Sequence, residues 1–78
     1  MTAEQVGARV PSFKQHHRMA LALEEAGVGV GEMADYLDVN PASVSRWING
    51  RVRPSKQTMR LWSLRCGVPL SWLENGQA

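Results

Sequence analysis

Apolar side chains in this sequence recur at three- and four-residue steps, in short blocks divided by glycine, proline and asparagine, and no block reads as a strand. The first block is Phe13, His16, Met19, Ala22, Leu23 and Ala26, which share one helical face. Ser12 and Gln15 stand in the S-x-x-Q relation of a capping box, so this helix is predicted to begin at Ser12. Gly27 is its expected terminator. Residues 1–11 are polar, end in Pro11 and read as a flexible arm. A second short helix is predicted over Gly29–Val39, running out into a turn made by Asp38, Val39 and Asn40. Gly29 is its N-cap, Glu32 meets the positive end of the helix dipole, and Met33, Ala34 and Leu37 form the inward stripe.

Asn40-Pro41 marks the start of a third helix, because asparagine caps well and proline at the first helical position loses no needed hydrogen bond. That helix is predicted over Pro41–Asn49, closed by Gly50. Arg51-Val52-Arg53-Pro54 follows as an extended basic loop, since proline disfavours helix in the residue before it. Ser55 caps a fourth helix reaching about Cys66, with Met59, Trp62, Ser63 and Cys66 at helical spacing, and Gly67 ends it. Pro69–Asn75 makes a last short helix with Leu70 and Leu73, closed by Gly76. The predicted fold is therefore all-α: a compact bundle of five short helices in one domain, residues 12–76, behind the arm.

Composition narrows the function classes. A length of 78 residues suits one domain, and 44% apolar with 21% charged residues suits a globular protein in water. The longest apolar run, Met19 to Leu23, is far below the roughly 18 residues that span a bilayer. No secretory signal pattern is present, and the single cysteine, Cys66, cannot form an internal disulfide. A cytoplasmic location, with no membrane contact, is expected. The net charge of +2 hides an uneven distribution. Glu24, Glu25, Glu32, Asp35 and Asp38 cluster together, whereas Val39 to Leu73 contains no acid and carries Arg46, Arg51, Arg53, Lys56, Arg60 and Arg65. A one-sided basic surface is the footprint of a polyanion partner.

Projection of the third helix at 100° per residue separates two faces. Val44, Trp47 and Ile48 fall together, while Ala42, Arg46 and Asn49 fall opposite them with Ser45 alongside. A helix serving only solubility usually carries Glu and Lys pairs on its outer side. Small residues at the leading end followed by an arginine and an amide suit a helix that enters the major groove, where backbone must approach base edges and a long donor must reach them.

The run Met33 to Pro54, MADYLDVNPASVSRWINGRVRP, resembles the helix-turn-helix of the Cro and lambdoid phage-repressor (XRE-like) family. Met33-Ala34 occupies that family's Leu-Ala place, where a small residue lets two helices cross closely. Val44-Ser45-Arg46-Trp47, Asn49-Gly50 and the basic loop ending in Pro54 follow at the family's spacing. Thr58 to Leu73 is similar to its closing helices, and the resemblance covers about residues 14–74. Two departures stand out. Val30 replaces a glutamine that commonly opens the second helix and touches a phosphate. Leu23 and Ile48 replace a buried Arg–Glu pair, and an apolar pair can substitute for such an ion pair without loss of stability.

The resemblance implies that Pro41, Ala42, Ser43, Ser45 and Arg46 lie nearest base edges, with Arg46 the main donor and Ala42 able to touch a thymine methyl. It implies that Asn49, Arg51, Arg53 and Lys56 meet phosphates. Trp47 has two readings, core packing at the helix junction or stacking beside a sugar-phosphate. The implied function is a sequence-specific, double-stranded DNA-binding transcriptional regulator of Cro or repressor type in a bacterial host, associated with the nucleoid and acting by operator occupancy. A protein-interaction module, such as an antitoxin or anti-repressor adaptor, is the alternative use of the same fold.

Other chemistry finds little support in the residues. His16 and His17 are adjacent rather than four apart, so no metal site is expected. No nucleophile, base and orienting group assemble into a catalytic set, and no glycine-rich phosphate loop occurs, so neither enzyme activity, cofactor nor small-molecule ligand is expected. Leu61, Leu64 and Trp72 fall outside the predicted stripe of the closing helices, as does Leu21 earlier in the chain. Unplaced apolar groups of this kind suit a weak homodimer, strengthened on DNA, or a cover supplied by Val6 and Val10 of the arm.

Overall fold

Local end signals and apolar stripes translate directly into five helices in the computed structural model, which describes residues 13–77. They are α1 (Gln15–Ala26), α2 (Val30–Leu37), α3 (Pro41–Ile48), α4 (Lys56–Cys66) and α5 (Leu70–Asn75). The all-α architecture predicted from the sequence is the one observed, and no strand occurs among the described residues. The arm of residues 1–11, with Val6 and Val10, and the expected cap Ser12 lie outside them.

The start of α1 differs from the expectation. Phe13 and Lys14 are not helical, and Lys14 is the N-cap, extended at φ −97° and ψ 172°. Its backbone N–H donates to Nδ1 of His17 at 2.9 Å, so a histidine takes the part that a glutamine plays in the predicted capping box. Phe13 consequently falls off the helical face and is 58% exposed rather than buried. Ala26, in the last turn, is also exposed.

The other ends follow the local signals. Gly29 caps α2 with its N–H donating to the Glu32 carboxylate at 2.9 Å. Asp38 closes α2 in the left-handed region at φ 58°, so this helix stops before the predicted Val39. Aspartate visits that region more readily than most residues. The Val39 N–H then returns to the Ala34 carbonyl at 3.0 Å. Ser55 Oγ accepts from the Thr58 N–H at the head of α4.

The core consists of Met19, Ala22 and Leu23 from α1, Val28, Met33 and Ala34, Val44 from α3, Met59 and Trp62 from α4, and Leu73 from α5. Ala34 is fully buried where α2 packs on α3, which is the position expected to need a small side chain. Trp62, 0% exposed, donates its indole N–H to the Met19 carbonyl at 3.2 Å and joins α4 to α1. Leu23 is in the apolar cluster and Ile48 packs against it, so apolar residues stand where the family commonly has an ion pair. Val30 packs against the same cluster. Trp72, half-buried on α5, does too, which corrects the expectation that it lies outside the core.

One buried charge escapes any reading by apolar periodicity. Arg18, 8% exposed, donates from Nε to the Leu73 carbonyl at 3.1 Å and from Nη2 to the Glu74 carbonyl at 2.9 Å. Its Nη1 donates to the Phe13 carbonyl at 2.9 Å. The carbonyls at the end of α5 lack helical partners, and a cation there also meets the negative end of the dipole. Arg18 lies one turn before Ala22, so an arginine on the inward face was the available signal.

Candidate nucleic-acid interface

The third helix owes its exposure to the way it is anchored. Asn40 Oδ1 accepts from the Ala42 N–H at 2.8 Å, and Pro41 occupies the first turn, so the leading end is closed by local bonds alone. Val44 is fully buried, while Trp47 and Ile48 pack half-buried against the core. The opposite side holds Pro41, Ala42, Arg46 and Asn49, all exposed, with Ser43 and Ser45 half-buried at the margins. The two faces read from the sequence are therefore the two faces present. Asn49 is the C-cap rather than the last helical residue.

Beyond α3 the chain doubles back. Gly50 adopts φ 75°, in the left-handed region, and the Arg51 N–H donates to the Arg46 carbonyl at 2.9 Å. The bond ties the basic loop to the end of the helix that presents Arg46. Gly50 also sits against α1, since a Cβ placed there would stand 2.8 Å from the His16 ring. Glycine is required at this position by both its backbone angle and its neighbour.

Between the first turn of α1 and this loop lies an open cleft of about 420 Å³. Lys14 and His16 from the head of α1, Trp47 from α3, and Arg51 and Arg53 from the loop are among the residues that line it. Trp47 packs at the helix junction, meeting Trp62 edge-on with ring centroids 6.3 Å apart at 74°, and also lines the cleft. Lys14 and His16 were not among the residues singled out for binding, because a stepwise reading of α1 places them far from the basic loop. The rings of His16 and His17 stand 4.2 Å apart between centroids. Partial burial, then the positive charges of His17 and Lys14, hold the His16 imidazole below its ordinary pKa.

The basic residues do not form one uniform set. Lys56 Nζ lies 2.9 Å from Glu74 Oε2 and donates to Oε1 at 3.1 Å. Glu74 directly follows the acid-free stretch, and the fold brings it back to the start of α4. Arg65 Nη2 stands 3.9 Å from Glu32, and its guanidinium carbon is 6.0 Å from the Tyr36 ring centroid. Among the described residues, no acid pairs in this way with Arg46, Arg51 or Arg53. Burial pushes the Cys66 thiol up, with the charge of Arg65 acting in the opposite sense. No group of three or more histidine, cysteine or acidic residues that could hold a metal occurs among the described residues.

A Helix-turn-helix family model matches residues 19–73, from the middle of α1 through α5. The chain belongs to the XRE-like helix-turn-helix family. In this helix-turn-helix protein the matched span contains α2, the turn at Asp38 to Asn40, and α3, together with the loop and closing helices that hold them. The family binds double-stranded DNA, and the general class of the protein is accordingly that of DNA-binding transcription regulators. No curated protein and no solved structure matches the chain. No helix among the described residues is long and apolar enough to cross a membrane.

Proposed function

We propose that this helix-turn-helix protein is a sequence-specific regulator of Cro or phage-repressor type, which binds an operator in double-stranded DNA and acts by occupying it. The outer side of α3 carries the reading: small at its leading end, then presenting Arg46, with no acid paired to that guanidinium among the described residues. Pro41, Ala42, Ser43, Ser45 and Arg46 face base edges in this reading, and Asn49, Arg51, Arg53 and Lys56 face phosphates. A selection of bound duplexes from a random pool tests it. Enrichment of a defined sequence is expected, and recovery of an unenriched pool would overturn sequence-specific recognition.

The phosphate contacts carry unequal weight. Neutralising one phosphate contributes roughly 0.9 to the slope of log affinity against log salt concentration. Arg53→Ala should flatten the slope by about that amount and weaken all sequences alike. Lys56→Ala should flatten it less, because Glu74 already compensates the ammonium and must be displaced before a phosphate can take its place. Equal slopes for the two variants would remove the distinction.

Homodimerisation belongs to the same proposal. Leu64 is 73% exposed on α4 with Leu61 half-buried beside it, whereas Trp72 is already engaged with the core. An isologous contact through this face would set two recognition helices about 34 Å apart and require a near-palindromic site. Sedimentation should show a concentration-dependent shift that Leu64→Glu abolishes without unfolding the chain. The same shift in the variant would exclude this face.

A further inference from the structure

We propose that the cleft between the first turn of α1 and the loop after α3 is a phosphate site of the DNA interface, with the His16 ring as a contact group, so that DNA affinity rises as pH falls. The inference rests on the DNA-binding reading and adds to it a segment, the start of α1, that neither the recognition helix nor the basic loop contains.

Placement comes first. The His16 ring lines the cleft beside Gly50, where a Cβ would stand 2.8 Å from it. Lys14, from the head of α1, and Arg51 and Arg53, from the loop, line the same cleft. No acid among the described residues lines the cleft. Three permanent cations around one concavity repel one another until an anion enters. Liquid water occupies about 30 Å³ per molecule, so a space of about 420 Å³ accommodates a backbone phosphate with its sugar and several waters.

The pH dependence follows from what surrounds the ring. At the head of α1 His17 and Lys14 act on it, and Arg51 and Arg53 of the loop line the same cleft. Lysine and arginine keep their charge over the range in which an imidazole titrates, between about pH 5 and 8. His17 is the other imidazole, and its Nδ1 already accepts the Lys14 N–H. In the free protein, burial and the neighbouring cations favour neutral His16. A phosphate in the cleft reverses the local field, and the protonated ring offers N–H donors on both nitrogens where the neutral ring has one. Proton and phosphate therefore bind together, each strengthening the other by the same factor. Affinity should climb as pH falls towards the pKa of free His16 and level off below it, where the ring is protonated without DNA. One proton per protomer limits the gradient to about tenfold per pH unit.

The test follows the His16 imidazole resonance of the full chain by NMR, with and without a mixed-sequence duplex of two helical turns, about 21 base pairs. The duplex should raise the proton affinity of His16 by about threefold or more. Binding measured in parallel should tighten severalfold between about pH 8 and pH 5.5. His16→Gln should bind at the higher pH and lose that gain. An unchanged His16 titration on the duplex, or an equal pH gain in His16→Gln, would overturn the phosphate site. The wild-type resonance decides the matter even where the variant is less stable. Absence of duplex binding at every pH would instead overturn the DNA-binding reading, and this inference with it.

Discussion

Trp62→Ala is expected to leave the chain largely unfolded at physiological temperature. The indole is 0% exposed, and removing a buried tryptophan costs about 3–5 kcal/mol through lost transfer energy and the cavity that remains. A domain of this length has a total stability of roughly 4–12 kcal/mol, so one substitution consumes a large part of it. Two further losses follow from the geometry. The Met19 carbonyl loses the indole donor, and Trp47 loses the ring that it meets edge-on. Since Trp47 belongs to α3 and lines the cleft, damage to Trp62 also disturbs the candidate interface. Urea denaturation followed by circular dichroism measures the effect. Leu64→Ala, at a site 73% exposed, should change stability by no more than about 0.5 kcal/mol and serves as the comparison. A loss below about 1 kcal/mol in Trp62→Ala would mean that the core does not depend on this ring.

Arg46→Ala should do the opposite, sparing the fold and changing what the protein recognises. The residue is exposed, in the last turn of α3, and its charge there is worth only a few tenths of a kcal/mol to the helix dipole. In the proposed complex the guanidinium meets the O6 and N7 acceptors of a guanine, and a good bidentate pair contributes about 1–3 kcal/mol of discrimination. The substitution should weaken the best site by roughly tenfold to a hundredfold and relax preference at one base pair per half-site. Parallel selections with wild type and variant, at a single salt concentration, provide the measurement. If both yield the same consensus with equal information at every position, Arg46 meets only the backbone and the proposed docking of α3 is wrong.

The two substitutions act on opposite sides of the helix-turn-helix, and the distinction matters for reading mutants. Val44 and the half-buried Trp47 and Ile48 hold α3 against the core. Ala42, Arg46 and Asn49 take no part in that core and can change without disturbing it. Loss of binding with unchanged denaturation therefore points to the outer side, whereas joint loss of both points inward.

Much of this organisation is determined by the sequence alone. Asn40-Pro41 and Ser55 close the starts of α3 and α4 through bonds spanning two or three residues, and Gly27, Gly67 and Gly76 close helix ends by adopting positive φ. Such signals work within a single turn, so they need no knowledge of the rest of the chain. The two faces of α3 follow equally from helical periodicity, because Val44 must point away from Arg46 wherever the helix is placed. What tertiary structure alone decided involves partners distant along the chain. Arg18 is buried because the end of α5, 55 residues later, brings its unpaired carbonyls to the guanidinium. Lys56 acquires Glu74 from 18 residues away, and Trp72 acquires a place against the core. The late start of α1 belongs partly to each level: His17 can cap Lys14 locally, yet Ser12 and Gln15 offered an equally local alternative. The cleft is lined from two parts of the chain, the head of α1 and the loop after α3, which only the fold brings together at Gly50 and His16. Hydrogen bonds within a turn are set by neighbouring residues, whereas charge pairing and concavity depend on how the helices pack.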